Sequence, residues 1–213
     1  MNLIKKSICF FLFLFLSINY SFAESRFGEL TEIRDDRMRG KDGQWVRPHP
    51  GPFVWNKIEK EQGKFSWEEA DKYVDYAQNH NQKIIATIWP YSNWEQKSCK
   101  RKKGRSPFGK RFSKYLSKPC SMDNYKKFLL ALVDRYDGDG SNDMPGLTKP
   151  IIYWEIMNEP EFKMFFRGKE DEFVEIFNFS SKTIKEKQKD AIIIMAGAAG
   201  MFPENKKYWK SAL

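Results

Sequence analysis

The chain has 213 residues, a formal net charge of +9 and three cysteines. It is long enough for one domain with a real core, and without a C-x-x-C spacing or a His/Cys cluster a zinc site is not expected. The charge is local, because residues 97–118 (KSCKRKKGRSPFGKRFSKYLSK) hold ten basic residues and no acidic one; the remainder is near neutral, which makes this a basic loop rather than a basic protein. No nucleic-acid partner is expected.

The chain opens MNLIKKSICFFLFLFLSINYSFAES. Lys5 and Lys6 precede an apolar run over residues 8–18, and Ser21-Phe22-Ala23 supplies small residues where a signal peptidase reads. The run is short of the ~20 residues that cross a bilayer as a helix. Residues 1–23 therefore read as a cleaved signal peptide, with a secreted or periplasmic protein as the product and no stable membrane insertion. Residues 24–213 form the remaining domain. Cys9 leaves with the signal. Cys99 and Cys120 remain, an even count that reads as one disulfide in an exported protein.

FGELTEI is a poor strand. WVRP (45–48) is a short β-like run, followed by the Pro- and Gly-rich HPGPFVW. In SWEEADKYVDYAQNH (66–80), Ser66 and Glu69 match a capping box, and Ala70, Tyr73, Val74 and Ala77 recur at helical spacing. KIIATIW (83–89) is an apolar strand stopped by Pro90. After the basic loop, residues 121–136 place Tyr125, Phe128, Leu129, Leu132, Val133 and Tyr136 on one helical face. DGDGSNDMPG (137–146) breaks that helix. Asp137, Asp139 and Asp143 echo calcium-loop spacing, but the sixth-position Gly and twelfth-position Glu are missing, so it reads as a solvated turn. IIYWEIM (151–157) is a strand, residues 170–188 an amphipathic helix, AIIIMAG (191–197) a buried strand, and NKKYWKSAL the start of another helix.

Apolar strands alternating with amphipathic helices imply an α/β fold with a parallel sheet. An open doubly wound sheet and a (β/α)8 TIM barrel both fit. The Gly-rich phosphate turn of nucleotide-binding open sheets is missing, and GAAG after the last strand lacks its spacing. Instead three strands end in functional groups beside prolines: Arg47-Pro48-His49, Trp89-Pro90-Tyr91 and Asn158-Glu159-Pro160. Barrel enzymes carry their chemistry at such C-terminal strand ends.

Alternation puts Tyr153, Glu155, Met157 and Glu159 on one side of their strand. Glu155 is then interior and needs a partner, for which Arg47 is a candidate. Four strand residues separate Glu155 from Glu159 by ~13 Å, too far for the paired carboxyls of a glycosidase, so Glu155 reads as structural. Asn158 faces away from Glu159 in a regular strand. Both reach one pocket only if the strand is bulged or ends there.

W-E-I-M-N-E-P after an apolar run, with an Arg-Pro strand end two strands earlier, resembles glycoside hydrolase clan A, in particular the family 5, 39 and 42-like barrels. Cellulases, β-xylosidases and β-galactosidases are among its members. The stretch WVRPHPGPFVWNKIEKEQGKFSWEEADKYVDYAQNHNQKIIATIWP resembles their second and third βα units, and the likeness spans about residues 44–200. The resemblance implies that Glu159, on the fourth strand, is the general acid/base. It implies that Asn158 bonds the sugar 2-hydroxyl and that Arg47 orients the nucleophile. Trp55, Trp89, Tyr91 and Trp94 lie where rings could stack on sugars, with core packing as the alternative, and His49 lies in the same region. No cofactor or metal is implied. The family's nucleophile, a Glu ending the seventh strand, has no counterpart, since no acidic residue after Glu159 ends an apolar strand. The reading is a partial barrel covering roughly its first or second strand to its fifth. The leading function is a retaining glycosidase cut before its nucleophile, inactive as this chain alone. A non-catalytic glycan-binding relic and a polyanion binder acting through residues 97–118 are the alternatives. The partner expected is an oligo- or polysaccharide, with the basic loop raising the prospect of an acidic one.

Overall fold

The computed structural model describes residues 28–31, 44–104, 112–200 and 202–212. The signal-peptide reading lies outside these residues. In chain order the elements are strands β1 (Gly28–Thr31) and β2 (Trp45–Pro48), helix α1 (Trp55–Ile58), and strands β3 (Glu59–Glu61) and β4 (Lys64–Phe65). Helix α2 (Glu68–Asn79), strand β5 (Lys83–Ile88), and helices α3 (Asn93–Ser98) and α4 (Met122–Tyr136) follow. Strand β6 (Tyr153–Ile156), helix α5 (Glu170–Lys187), strand β7 (Ile192–Met195) and helix α6 (Pro203–Ala212) complete the described fold. None of the described helices is long and apolar enough to cross a membrane.

Five strands form one parallel sheet in the order β1-β2-β5-β6-β7, and β3 with β4 makes a separate antiparallel hairpin. The order follows the chain without reversal. A doubly wound sheet reverses its order at a switch point. A sheet wound in one direction, with right-handed crossovers, puts its helices on one face. Val46, Ile84, Ala86, Ile88, Trp154 and Ile156 point to that face and are buried. α2 covers it with Ala70, Tyr73, Val74 and Ala77, α4 with Phe128, Leu129, Leu132 and Val133, and α5 with Phe173, Ile176 and Ile184. The opposite face, set by register with Arg47, Thr87 and Glu155, is left open at its edges, where Leu30 and Ile192 are 65% and 45% exposed. This is the arrangement of a partial (β/α)8 barrel, with the open side as its interior.

Two local expectations are corrected. Within FGELTEI, Gly28–Thr31 does form a strand, with Gly28 opposite Trp45 and Leu30 opposite Arg47. A Cβ on Gly28 would lie 2.8 Å from Trp45 Cβ, so glycine permits the close pairing that its low strand propensity argues against. The capping box of α2 is not formed. Trp67 is the N-cap and makes no side-chain cap bond. Ser66 instead donates its backbone N–H to Ile58 O (2.7 Å), and Glu69 pairs with Lys57 at 2.5 Å. The real side-chain cap is on α4, where Ser121 Oγ accepts from the Asn124 N–H.

The turn after α4 is organised by Lys187, whose ammonium lies 2.5 Å from Asp134, 3.5 Å from Asp137 and 3.0 Å from Asp139. Asp143, the third acid of the calcium-like spacing, accepts from the backbone N–H groups of Gly138 and Gly140. A side-chain ammonium thus supplies the positive charge among the three clustered carboxylates.

A disulfide joins Cys99 and Cys120, pairing as expected. It closes the basic loop at its base, between the end of α3 and the start of α4. Replacing both cysteines with serine is expected to cost about 3 kcal/mol through the freed loop entropy, measurable as a lower denaturant midpoint. Mass spectrometry of unreduced protein should show the two cysteine peptides joined.

Candidate active site

β6 ends at Ile156, and the backbone then turns sharply. Met157 has φ +66° and Glu159 φ +45°, both in the left-handed region that residues with a Cβ avoid. Met157 is fully buried and its N–H donates to Ile88 O (3.0 Å), while the Glu159 N–H donates to Gly197 O (2.9 Å). Packing and hydrogen bonds at both residues hold a conformation that the chain alone would not keep. The turn breaks the two-residue alternation and brings Asn158 to the side of the sheet that carries Glu155.

Both meet Arg47 at the end of β2. Arg47 Nε donates to Glu155 Oε2 (2.7 Å) and Nη2 donates to Asn158 Oδ1 (2.8 Å). Thr87 Oγ1, on the intervening strand β5, donates to the same Glu155 oxygen (2.6 Å). Glu155 and Asn158 are buried. With Asn158 Oδ1 engaged, the amide N–H groups are the part free to donate to an incoming hydroxyl. Glu155 is interior, paired and structural in its contacts, as its spacing suggested.

Glu159 sits beyond this clamp, half-buried, and among the described residues nothing donates to its carboxylate. Its pKa is raised, chiefly by loss of solvent and secondarily by the nearby Glu161 carboxylate, with Arg47 pulling the other way. Glu161 Oε1 accepts from the Ala199 N–H (2.7 Å), so the segment after β7 holds both acids, Glu159 by its backbone and Glu161 by its side chain. An acid biased toward its neutral form is what proton donation requires.

The aromatic candidates are largely corrected. Trp55, Trp89 and Tyr91 are fully buried and present no ring face to a sugar. Trp55 stacks on Phe128 of α4 (5.4 Å between centroids) and donates to Glu59 Oε2 (2.5 Å). Trp89 meets Phe112 edge-on at 4.8 Å and donates to Pro50 O, and the Tyr91 hydroxyl donates to Phe165 O. The loops after β5 and β6 fold over these rings, which their position at a strand end did not reveal. Trp94 is half-buried against Trp55 and donates to Glu59 O. His49 is half-buried 5.7 Å from the Trp89 ring and 6.0 Å from Phe165, two residues beyond Arg47. Sequence reasoning missed Thr87, Gly197 and Glu161. Thr87 was visible as the one polar residue inside KIIATIW; the other two act across the fold and left no local signal.

No protein-family model matches the sequence, and no curated protein matches it either. Solved structures do resemble it. A glucosidase from Croceicoccus marinus aligns at TM-score 0.55 and 13% identity, over 78% of this chain and 34% of that one. A family 39 glycoside hydrolase from Xanthomonas axonopodis pv. citri gives TM-score 0.54 and 15% identity, over 79% and 32%. A monomeric β-xylosidase from Caulobacter crescentus gives TM-score 0.54 and 15% identity, over 79% and 33%. The fold is part of a glycosidase-type (β/α)8 barrel. The chain spans about a third of the length of each of these structures, and at such identities the likeness is one of fold.

Two measurements probe the clamp and the acid. Arg47→Met strands a buried carboxylate and should destabilise the fold by about 3 kcal/mol, whereas Arg47→Met with Glu155→Met should recover most of that loss; chemical denaturation of the three proteins reads both. For Glu159, a folded-state pKa above the unfolded one means that the fold binds its proton more tightly. Ionisation at neutral pH therefore costs stability, and the cost disappears below the ordinary carboxylate range of ~4. Glu159→Gln should melt at a higher temperature than the parent near neutral pH and at the same temperature in acid.

Proposed function

We propose that this chain is the acid/base-bearing portion of a secreted, retaining glycoside hydrolase. The observation that carries the reading is the fourth-strand tip, where a left-handed turn sets Asn158 on Arg47 and leaves Glu159 with no donor among the described residues and biased toward its protonated form. In this reading Glu159 protonates the departing glycosidic oxygen and then, as carboxylate, activates water. Asn158, its carbonyl oxygen fixed by Arg47, offers its amide N–H to the sugar 2-hydroxyl. Arg47 links the interior charges and, with a nucleophile present, is placed to orient it. The signal-like start of the sequence and the Cys99–Cys120 bond support export.

One second reading is a glycan-binding module that keeps the Asn158 and Glu159 site without turnover, favoured by the Asn158 amide, which Arg47 fixes and which can bind a hydroxyl without any reaction. Both readings predict no hydrolysis by the 213 residues alone, and robust hydrolysis would overturn the truncation. They separate in a protein completed by the remaining βα units and their strand-ending Glu. There Glu159→Ala should cripple substrates with poor leaving groups far more than activated aryl glycosides, because only the former need its proton. Equal loss on both substrates would remove Glu159 from the acid role.

A further inference from the structure

The described parts of the basic loop, residues 97–104 and 112–118, are anchored. Phe112, Tyr115 and Leu116 are buried, and the disulfide fixes its base. The Gly104 N–H donates to Lys114 O (2.8 Å), and the Arg101 N–H donates to Gln96 O (3.1 Å). The loop after β6 locks onto it, with the Arg167 N–H donating to Leu116 O (2.6 Å) and Arg167 Nη1 to Lys103 O (3.1 Å). Between the two loops lies a pocket of about 330 Å3 lined by Arg101, Lys102, Lys103, Ser117 and Arg167. We propose that this pocket is an oxyanion subsite that takes the sulfate ester or uronate carboxylate of an acidic glycan.

Four cations and a hydroxyl line the pocket, and no lining side chain is acidic. The nearest opposing charges are Glu172, 3.9 Å from Arg101, and Glu95, which burial pushes toward its neutral form. Arg101 Nε is buried and has no acceptor among the described residues. A buried donor left unpaired is costly, and an anionic oxygen is the acceptor a guanidinium pairs with best. Among the described residues the pocket offers no aromatic platform on which a base could stack, which favours a carbohydrate oxyanion over a nucleic acid. Both loops leave the C-terminal ends of neighbouring strands β5 and β6, the end of the sheet that carries Glu159. The glycan part of the inference rests on the proposed function; the anion part rests on the pocket itself.

The test is calorimetric titration of the full chain with a sulfated oligosaccharide, its desulfated counterpart of equal length, and a single-stranded oligonucleotide of matched charge. The sulfated chain should bind on the order of 10-fold tighter than the desulfated one at low salt, as one charge-assisted contact supplies. That ratio should collapse toward ~1 M salt, where the Debye length is ~3 Å. Arg101→Gln should bring the ratio near one. If that variant fails to fold, Lys102→Gln with Lys103→Gln, both exposed, should move the ratio the same way. Inorganic sulfate gives a separate readout, raising the melting temperature of the parent but not of Arg101→Gln. If neither oligosaccharide binds while sulfate still acts through Arg101, the subsite stands and the glycan reading falls. Equal, measurable affinity for the two oligosaccharides overturns the subsite. Oligonucleotide binding as tight as that of the sulfated chain overturns it in favour of unselective polyanion binding.

Discussion

One guanidinium organises the centre of this fold. Arg47 spans from β2 to β6, past β5, and holds a carboxylate with one nitrogen and an amide oxygen with another. A carboxylate inside a sheet is tolerable only with a partner, and a planar fork can serve two acceptors at fixed angles where a lysine would offer a point charge. Thr87 closes the network from the strand between. The same bonds that neutralise Glu155 therefore set the orientation of Asn158, so the structural demand of a buried charge and the positional demand of a binding group are met by one residue.

The clamp works because β6 gives up its regular geometry one residue past its end. Had the strand continued, Asn158 would have turned to the helix layer, where Ile156 and Trp154 are packed. Left-handed Met157 reverses that, and Glu159 repeats the conformation two residues later. Each such residue costs ~1–3 kcal/mol unless its surroundings enforce it. The enforcement is visible: Met157 is buried and bonded to the end of β5, and the Glu159 backbone is bonded to the segment that follows β7. The tip of the fourth strand is thus shaped by its two neighbours, and its geometry depends on β5 and β7 being in place.

This explains what the sequence disclosed and what it withheld. The sheet strands β2, β5, β6 and β7 and the long helices α2, α4 and α5 followed from the apolar pattern, whereas the short helices α1 and α3 and the β3–β4 hairpin did not. The partner for Glu155 followed from charge alone. That Asn158 and Glu159 reach one pocket could only be posed as a condition, because it hangs on two φ angles set by distant backbone oxygens. The aromatic residues went the other way. Trp55, Trp89 and Tyr91 sit at strand ends in sequence, but Phe112, Phe128 and Phe165 arrive from other segments to cover them, and large rings are core-formers before they are binding surfaces. β1 was missed because Gly28 lowers strand propensity locally while its missing side chain is what lets it lie against Trp45.

The sheet's asymmetry bears directly on Glu159. Parallel sheets are normally covered on both faces. Here helices cover one, and the other carries the Arg47 network at its centre with Leu30 and Ile192 exposed at its edges. Loss of solvent is the largest cause raising the Glu159 pKa, ahead of Glu161, and Arg47 opposes both. The Arg47 charge is largely committed to Glu155, which limits how far it can draw the proton off Glu159. Any further cover over the open face, whether more of a barrel or a bound sugar, removes water from a carboxylate to which nothing donates among the described residues, and by lowering the local dielectric it strengthens both the Glu161 repulsion and the opposing Arg47 attraction. Desolvation is the largest of these influences, so covering this face acts chiefly to push Glu159 toward the protonated state in which it can act as an acid.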